Sequence, residues 1–290
     1  MTTEIRPGST HTSAGRAWRV INRVLFYAIL TFVAALVIVP MLYAVVSGFR
    51  STGQLAAAPL GLPDPWISSN YIGILTSGSF WQAFGNSAII AVLSTILTLV
   101  TSSAAAYALA RFQFRGRNAV FNLFTLGLLF PLSVAILPLF LLLHTLHLLD
   151  NPWGVILPSV AFGLPTSIII LRPFFRSIPS EIEDAAAMDG CTHFGFYWRI
   201  LLPMSRPALS TIGVLAVVAS WNAFLLPLVV LSNPETHTLP LAVRDFNAQY
   251  TQDTARVLAF ATLSMIPALA FYIGAERQII AGLGSGAVKG

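Results

Sequence analysis

Charge is what this chain has least of. Only 9% of its 290 residues are charged, against roughly a quarter in soluble domains, while hydrophobic residues reach 56%. So few charges cannot solvate the surface of a soluble fold, and lipid must surround most of the side chains. Cysteine is nearly missing as well. Cys191 stands alone, which excludes an intramolecular disulfide and leaves no basis for redox chemistry. No G-x-x-x-x-G-K-[ST] run occurs, so nothing here cradles the phosphates of ATP in the P-loop manner, and any ATP-driven step needs another chain to bind the nucleotide. Internal repeats, low-complexity tracts and basic clusters with a nucleic-acid fold signature are also missing. The apolar stretches hold essentially no ionisable residues, which weighs against the alternative of an ion- or proton-coupled secondary transporter. They hold no nucleophile–base pair or metal signature either, which weighs against an intramembrane enzyme. No cofactor is expected.

What the chain has is apolar length. Runs at about Val20–Phe49, Phe84–Leu109, Ala119–Leu143, Trp153–Phe175, Pro207–Leu231 and Val257–Gly282 are each long enough to cross a ~30 Å hydrocarbon core as helix. The first is too long for the apolar core of a signal peptide and is expected to remain as an anchor. The fold class predicted is all-α and polytopic, with residues 1–19 as a tail and 20–290 as one six-span domain. Pro40, Pro131, Pro138, Pro158, Pro165, Pro227 and Pro267 fall inside the spans. Each removes a backbone donor, which either marks a helix built to flex or reflects the ordinary tolerance of membrane helices for proline.

The basic residues divide unequally between alternate loops. Of the 16, all but Lys289 are arginine, and 13 fall on one side: Arg6, Arg16, Arg19 and Arg23, then Arg111, Arg115 and Arg117, then Arg172, Arg176, Arg199 and Arg206, then Arg277 and Lys289. The other side receives three, Arg50, Arg244 and Arg256. The positive-inside rule then puts both termini, and the loop between the fourth and fifth spans, in the cytoplasm. The same division accounts for the net charge of +5 without any nucleic-acid partner.

That loop reads SEIEDAAAMDGCTHFGFYWRILLP from Ser180 to Pro203. Ser180 with Glu183 three residues on has the spacing of a capping box. Ile182, Ala185, Ala186 and Asp189 recur at helical spacing, and the alanines leave room for close approach. Gly190 is placed to end the helix in a left-handed conformation, and Thr192 to cap a second helix running to Pro203. Glu181, Glu183, Asp184 and Asp189 make an acidic spot on an otherwise basic face. Left to itself, that spot would be read as merely solvated.

Asp184, Ala185, Ala186, Gly190, Ile200, Leu202 and Pro203 stand at the spacing Glu-Ala-Ala, three free positions, Gly, nine free positions, Ile-x-Leu-Pro. This resembles the EAA loop of importer permeases in the ATP-binding-cassette superfamily, with Asp184 in place of the leading Glu. Ala105–Phe112, Leu171–Pro179, Ser220–Asn222 and the ending Gly282–Leu283 with Gly286–Gly290 extend the resemblance to the carbohydrate-uptake branch, from about residue 20 to the end. The resemblance implies a permease subunit of a bacterial inner-membrane sugar importer that performs no covalent chemistry itself. Its implied partners are a second homologous permease, a cytoplasmic ATPase dimer, an extracytoplasmic sugar-binding protein and membrane lipid. It further implies that Glu183, Asp184, Ala185, Ala186, Asp189 and Gly190 couple the chain to the ATPase.

Trp221 and Asn222 lie within the fifth apolar run beside Ser220. A carboxamide at that depth faces a protein interior or water. It fits either a path for a hydroxyl-rich solute, with the Trp face beside it, or a hydrogen bond between helices. His144 and His147, three apart, are better read as interfacial residues than as metal ligands, since no third ligand recurs at a suitable spacing.

Overall fold

The computed structural model describes residues 13–249 and 253–287. The greater part of the expected N-terminal tail, with Arg6, and Lys289 in the ending motif lie outside the described residues. Helix accounts for 80% of the structure, and no strand occurs among the described residues.

Along the chain the helices are α1 (Ser13–Ser47), α2 (Thr52–Ala57), α3 (Ser69–Leu75), α4 (Gly78–Arg111), α5 (Arg117–Gly127), α6 (Leu132–Thr145) and α7 (Trp153–Ser177). Then come α8 (Ser180–Met188), α9 (His193–Phe196), a π turn at Tyr197–Leu201, α10 (Leu202–Met204), α11 (Arg206–Trp221), α12 (Leu225–Val230), α13 (Leu239–Gln249) and α14 (Thr254–Ala287). Four are long and apolar enough to cross a membrane: Ile21–Ser47 of α1, all of α4 and α7, and Thr254–Glu276 of α14. Two bent pairs bring the number to six if each is one span. These are α5 with α6, meeting at 102°, and the His193–Met204 stretch with α11, meeting at 79°.

The third and fifth apolar runs are therefore not straight helices. Between α5 and α6 the chain breaks at 128–131, where Pro131 lacks a donor and stands just before α6 as its cap. In the fifth run, α11 stops at Trp221 and the chain resumes as α12, leaving Asn222–Phe224 non-helical. Helices α2, α3 and α13 lie outside the six apolar runs, being too short or too polar to register as spans. The capping box of this chain in fact opens α2: the Gln54 N–H donates to Ser51 Oγ and the Ser51 N–H to Gln54 Oε1, each at 3.1 Å.

α4 and α7 form the central pair, joined by α11 against α4, α14 against α11, and α5 against α7. Ser87, Ser94, Thr95, Thr98, Ser102 and Ser103 of α4 are all buried. Small side chains of this kind let helix backbones approach where lipid supplies no hydrophobic drive. By contrast, nearly every side chain described for α1 is exposed, in keeping with a lipid-facing span.

Arg111, Arg172, Arg176 and Arg206 collect at one end of the bundle. At the opposite end Arg50 is buried, 1% exposed, and donates to the carbonyls of Gln54, Ala58 and Pro59. It braces the loop after α1. Asp150, at a backbone φ of 55°, accepts the N–H groups of Ser232 and Asn233 and ties the loop after α6 to the loop after α12.

Candidate functional site

The segment from Ile178 to Ser205 sits at the arginine-rich end, and local chemistry fixes each of its turns. α8 is stopped by a Schellman arrangement. Cys191 N–H donates to Ala186 O and Gly190 N–H to Ala187 O, both at 2.9 Å, with Gly190 at φ +78°. Thr192 then caps α9, its Oγ1 accepting from Gly195 N–H at 3.1 Å. Pro203 has no N–H for the carbonyl four residues back, and the helix before it widens into the π turn, where Leu202 N–H reaches Tyr197 O. The widened turn brings Tyr197 and Leu201 inward, 6% and 0% exposed. The expected helix, sharp turn and second helix are all present.

The start of α8 differs from expectation. Pro179 occupies the N-cap, with no side-chain acceptor, and Ser180 is the first helical residue, so Ser180 and Glu183 form no capping box. Glu183 is drawn inward instead. Its carboxylate accepts from Tyr107 OH at 3.2 Å and lies 3.5 Å from Arg111 Nε and 3.6 Å from His193 Nδ1. Arg111 also donates from Nη2 to Ile178 O at 2.7 Å.

These contacts divide α8 into two faces. Ala186 is buried at 7% exposure, in a core with Tyr107, Ala110, Leu171, Phe175, Phe196 and Leu201, and Ile182 packs against the same core. Glu181, Asp184, Ala185 and Met188, at i, i+3, i+4 and i+7, are exposed, Met188 at 89%. Asp189 and Gly190 are exposed at the turn, and a Cβ on Gly190 would meet nothing within 4 Å. Of the six residues singled out on this segment, then, Glu183 and Ala186 face the chain's own core, while Asp184, Ala185, Asp189 and Gly190 face away from it.

Trp221 and Asn222 sit at the other end of α11. Trp221 closes the helix and packs edge-on to Phe84, centroids 5.7 Å apart. Asn222, exposed, donates from its amide to Val218 O at 3.0 Å within its own helix rather than to a neighbour. Both line a cavity of 820 Å³ between α4, α11 and α14 that reaches Met41 of α1. A second cavity, of 510 Å³, opens on the opposite flank of α11 toward α7. His144 lies in the last turn of α6, and His147 beyond the helix at φ 55°. No three His, Cys, Asp or Glu side chains gather as a metal site among the described residues.

Comparison with known proteins agrees with this arrangement. Residues 98–278, from mid-α4 into α14, match the model of the binding-protein-dependent transport system inner membrane component family. A putative ABC transporter permease protein of Caldicellulosiruptor is 39% identical, the match covering 92% of this chain and 96% of that one. A diacetylchitobiose uptake system permease protein of Streptomyces coelicolor is 33% identical over 91% of this chain and 88% of its own length. Among solved structures, a bacterial ABC transporter involved in the import of the acidic polysaccharide alginate superimposes with a TM-score of 0.77 at 25% identity, covering 93% of this chain and 99% of the other. With its bundle of apolar helices and the braced loop between α7 and α11, the chain belongs to the family of binding-protein-dependent transport system inner membrane components.

Proposed function

We propose that this chain is one of two permease subunits of an ATP-driven carbohydrate importer and that α8 couples it to a separate ATPase. One observation carries this reading: α8 is held on its inner face and offers an outer face, Glu181, Asp184, Ala185 and Met188, that none of the described residues covers. A lever must be fixed to what it moves and free toward what moves it. The small Ala185 beside the apolar Met188 suits insertion into a cleft of a partner. On this reading the arginine-rich end faces the cytoplasm, residues 1–19 form a cytoplasmic tail, and residues 20–290 form the membrane domain. Glu183 and Ala186 hold the lever in place, while Asp184, Ala185, Asp189 and Gly190 meet the ATPase dimer.

Carbohydrate is the substrate class favoured by the relatives named for diacetylchitobiose and alginate. Trp221 and Asn222, on the wall of the 820 Å³ cavity, join an aromatic face to a carboxamide that both donates and accepts, the pairing a sugar ring requires. A homologous permease completes the path, and an extracytoplasmic binding protein delivers the solute. Purification of the tagged chain from detergent-solubilised membranes of its own host, with mass identification of what accompanies it, tests the reading. A second permease and an ATP-binding cassette ATPase are expected, with hydrolysis stimulated by an oligosaccharide-loaded binding protein. A chain that purifies without any ATPase from membranes that contain one contradicts it.

A further inference from the structure

α4 carries Ser103, Tyr107 and Arg111 four residues apart, hence on one face. That stripe reaches α8, the start of α9 and the π turn. Ser103 Oγ and Tyr197 OH are 2.7 Å apart, and the Tyr107 ring stacks on that of Tyr197 at 5.4 Å. Tyr107 OH lies between Glu183 Oε1 and His193 O, at 3.2 and 3.4 Å. Arg111 binds Ile178 O and pairs with Glu183. The far end of the same helix grips the opposite side of the molecule. Asn86 donates to Glu235 O at 2.8 Å and His237 O at 3.1 Å, and Ser87 Oγ accepts from Leu239 N–H, the first residue of α13, at 2.7 Å. α4, 34 residues long, runs unbroken past both grips and holds none of the prolines found inside α1, α6, α7 and α14.

We propose that α4 is the rod that carries movement of α8 to the 235–239 segment at the opposite end, and that Glu183 is the positioning residue joining lever to rod. Glu183 suits the role because, among the described residues, it is the α8 side chain with polar contacts to α4, and it meets two α4 residues one turn apart. A single contact would let α8 pivot, whereas two on one carboxylate fix its direction. The outer face of α8 takes no part in this joint, so engaging a partner and transmitting its motion fall to different residues of one nine-residue helix. The proposal rests on the coupling reading above.

The test uses the assembled complex with its ATPase in nanodiscs, with Cys191→Ser as background and spin labels on Leu62→Cys and Ser232→Cys, both exposed at the end opposite the loop. ATP with vanadate is expected to shift the distance distribution in the otherwise unmodified complex. Glu183→Ala should leave the ATPase bound and hydrolysing within about twofold of normal, yet cut the fraction of spin pairs that shift by about fivefold or more. Glu183→Gln, which keeps the acceptor for Tyr107 and loses the charge facing Arg111, should restore part of the shift. Tyr107→Phe combined with Glu183→Ala should do no more harm than Glu183→Ala alone. An unchanged shift in Glu183→Ala overturns the proposal, and so does loss of the ATPase from that variant, which would make Glu183 a docking or folding residue. If the unmodified complex holds no ATPase, it is the coupling reading that fails.

Discussion

Gly190 is held at φ +78° by two hydrogen bonds from the backbone after α8, while the space around it is open. Substitution there strains the backbone and nothing else, so the effect should rank by tolerance of the left-handed region rather than by size. Gly190→Ala should cost about 1 kcal/mol and Gly190→Val about 2, whereas Gly190→Asn, with a short polar side chain that visits this region, should cost less than either. Thermal unfolding in detergent would check the order, and equal loss in Asn and Val variants would refute it. Gly190 and Thr192 were legible because their signals are local: a small residue after a helix, a hydroxyl before one. Glu183 was not. Its spacing from Ser180 imitated a capping box, but Pro179 took the cap position, and the cation and phenol that claimed the carboxylate lie 72 and 76 residues earlier in the chain. No window on the sequence shows such partners.

At the scale of elements, hydropathy located the apolar runs but not their breaks. Average apolarity is blind to where a helix stops, and Pro131, which does mark a break, reads no differently from Pro158, Pro165 and Pro173, which sit within an unbroken α7. The end of α11 is instead marked by Asn222, whose amide turns back on Val218 O. Because that side chain is exposed and bonds only within its own helix, Asn222→Leu should change stability by less than about 0.5 kcal/mol. If the amide faces the solute path, the same variant should assemble normally, hydrolyse ATP at the basal rate and take up sugar several-fold more slowly. Failure to assemble would show instead that the amide is needed for contact with the partner permease. The alanines of α8 teach the same lesson about faces. Both were expected to leave room for a partner, but the helix turns Ala186 into the core of the chain itself and Ala185 away from it.

For the whole molecule, the six apolar runs, the arginine asymmetry and the loop motif were each readable, since all three depend on composition or on spacing within one segment. The order in which the spans pack, with α4 and α7 at the centre and α1 at the margin, was not, because it is set by the buried hydroxyl and small side chains along α4 that no periodicity distinguishes from lipid-facing ones. That packing gives α8 one covered face and one open face, and so makes the coupling reading testable by two adjacent residues. Ala186→Trp should overfill the core at about 1–3 kcal/mol or more and lower the yield of folded chain. Ala185→Trp, one position away, adds the same bulk on an exposed face that none of the described residues covers. The decisive measurement is ATPase retention by the Ala185→Trp permease pair in detergent. The account predicts a folded permease pair from which the ATPase is lost or is no longer stimulated. A complex that keeps its ATPase, with normal stimulated hydrolysis and uptake, would contradict it.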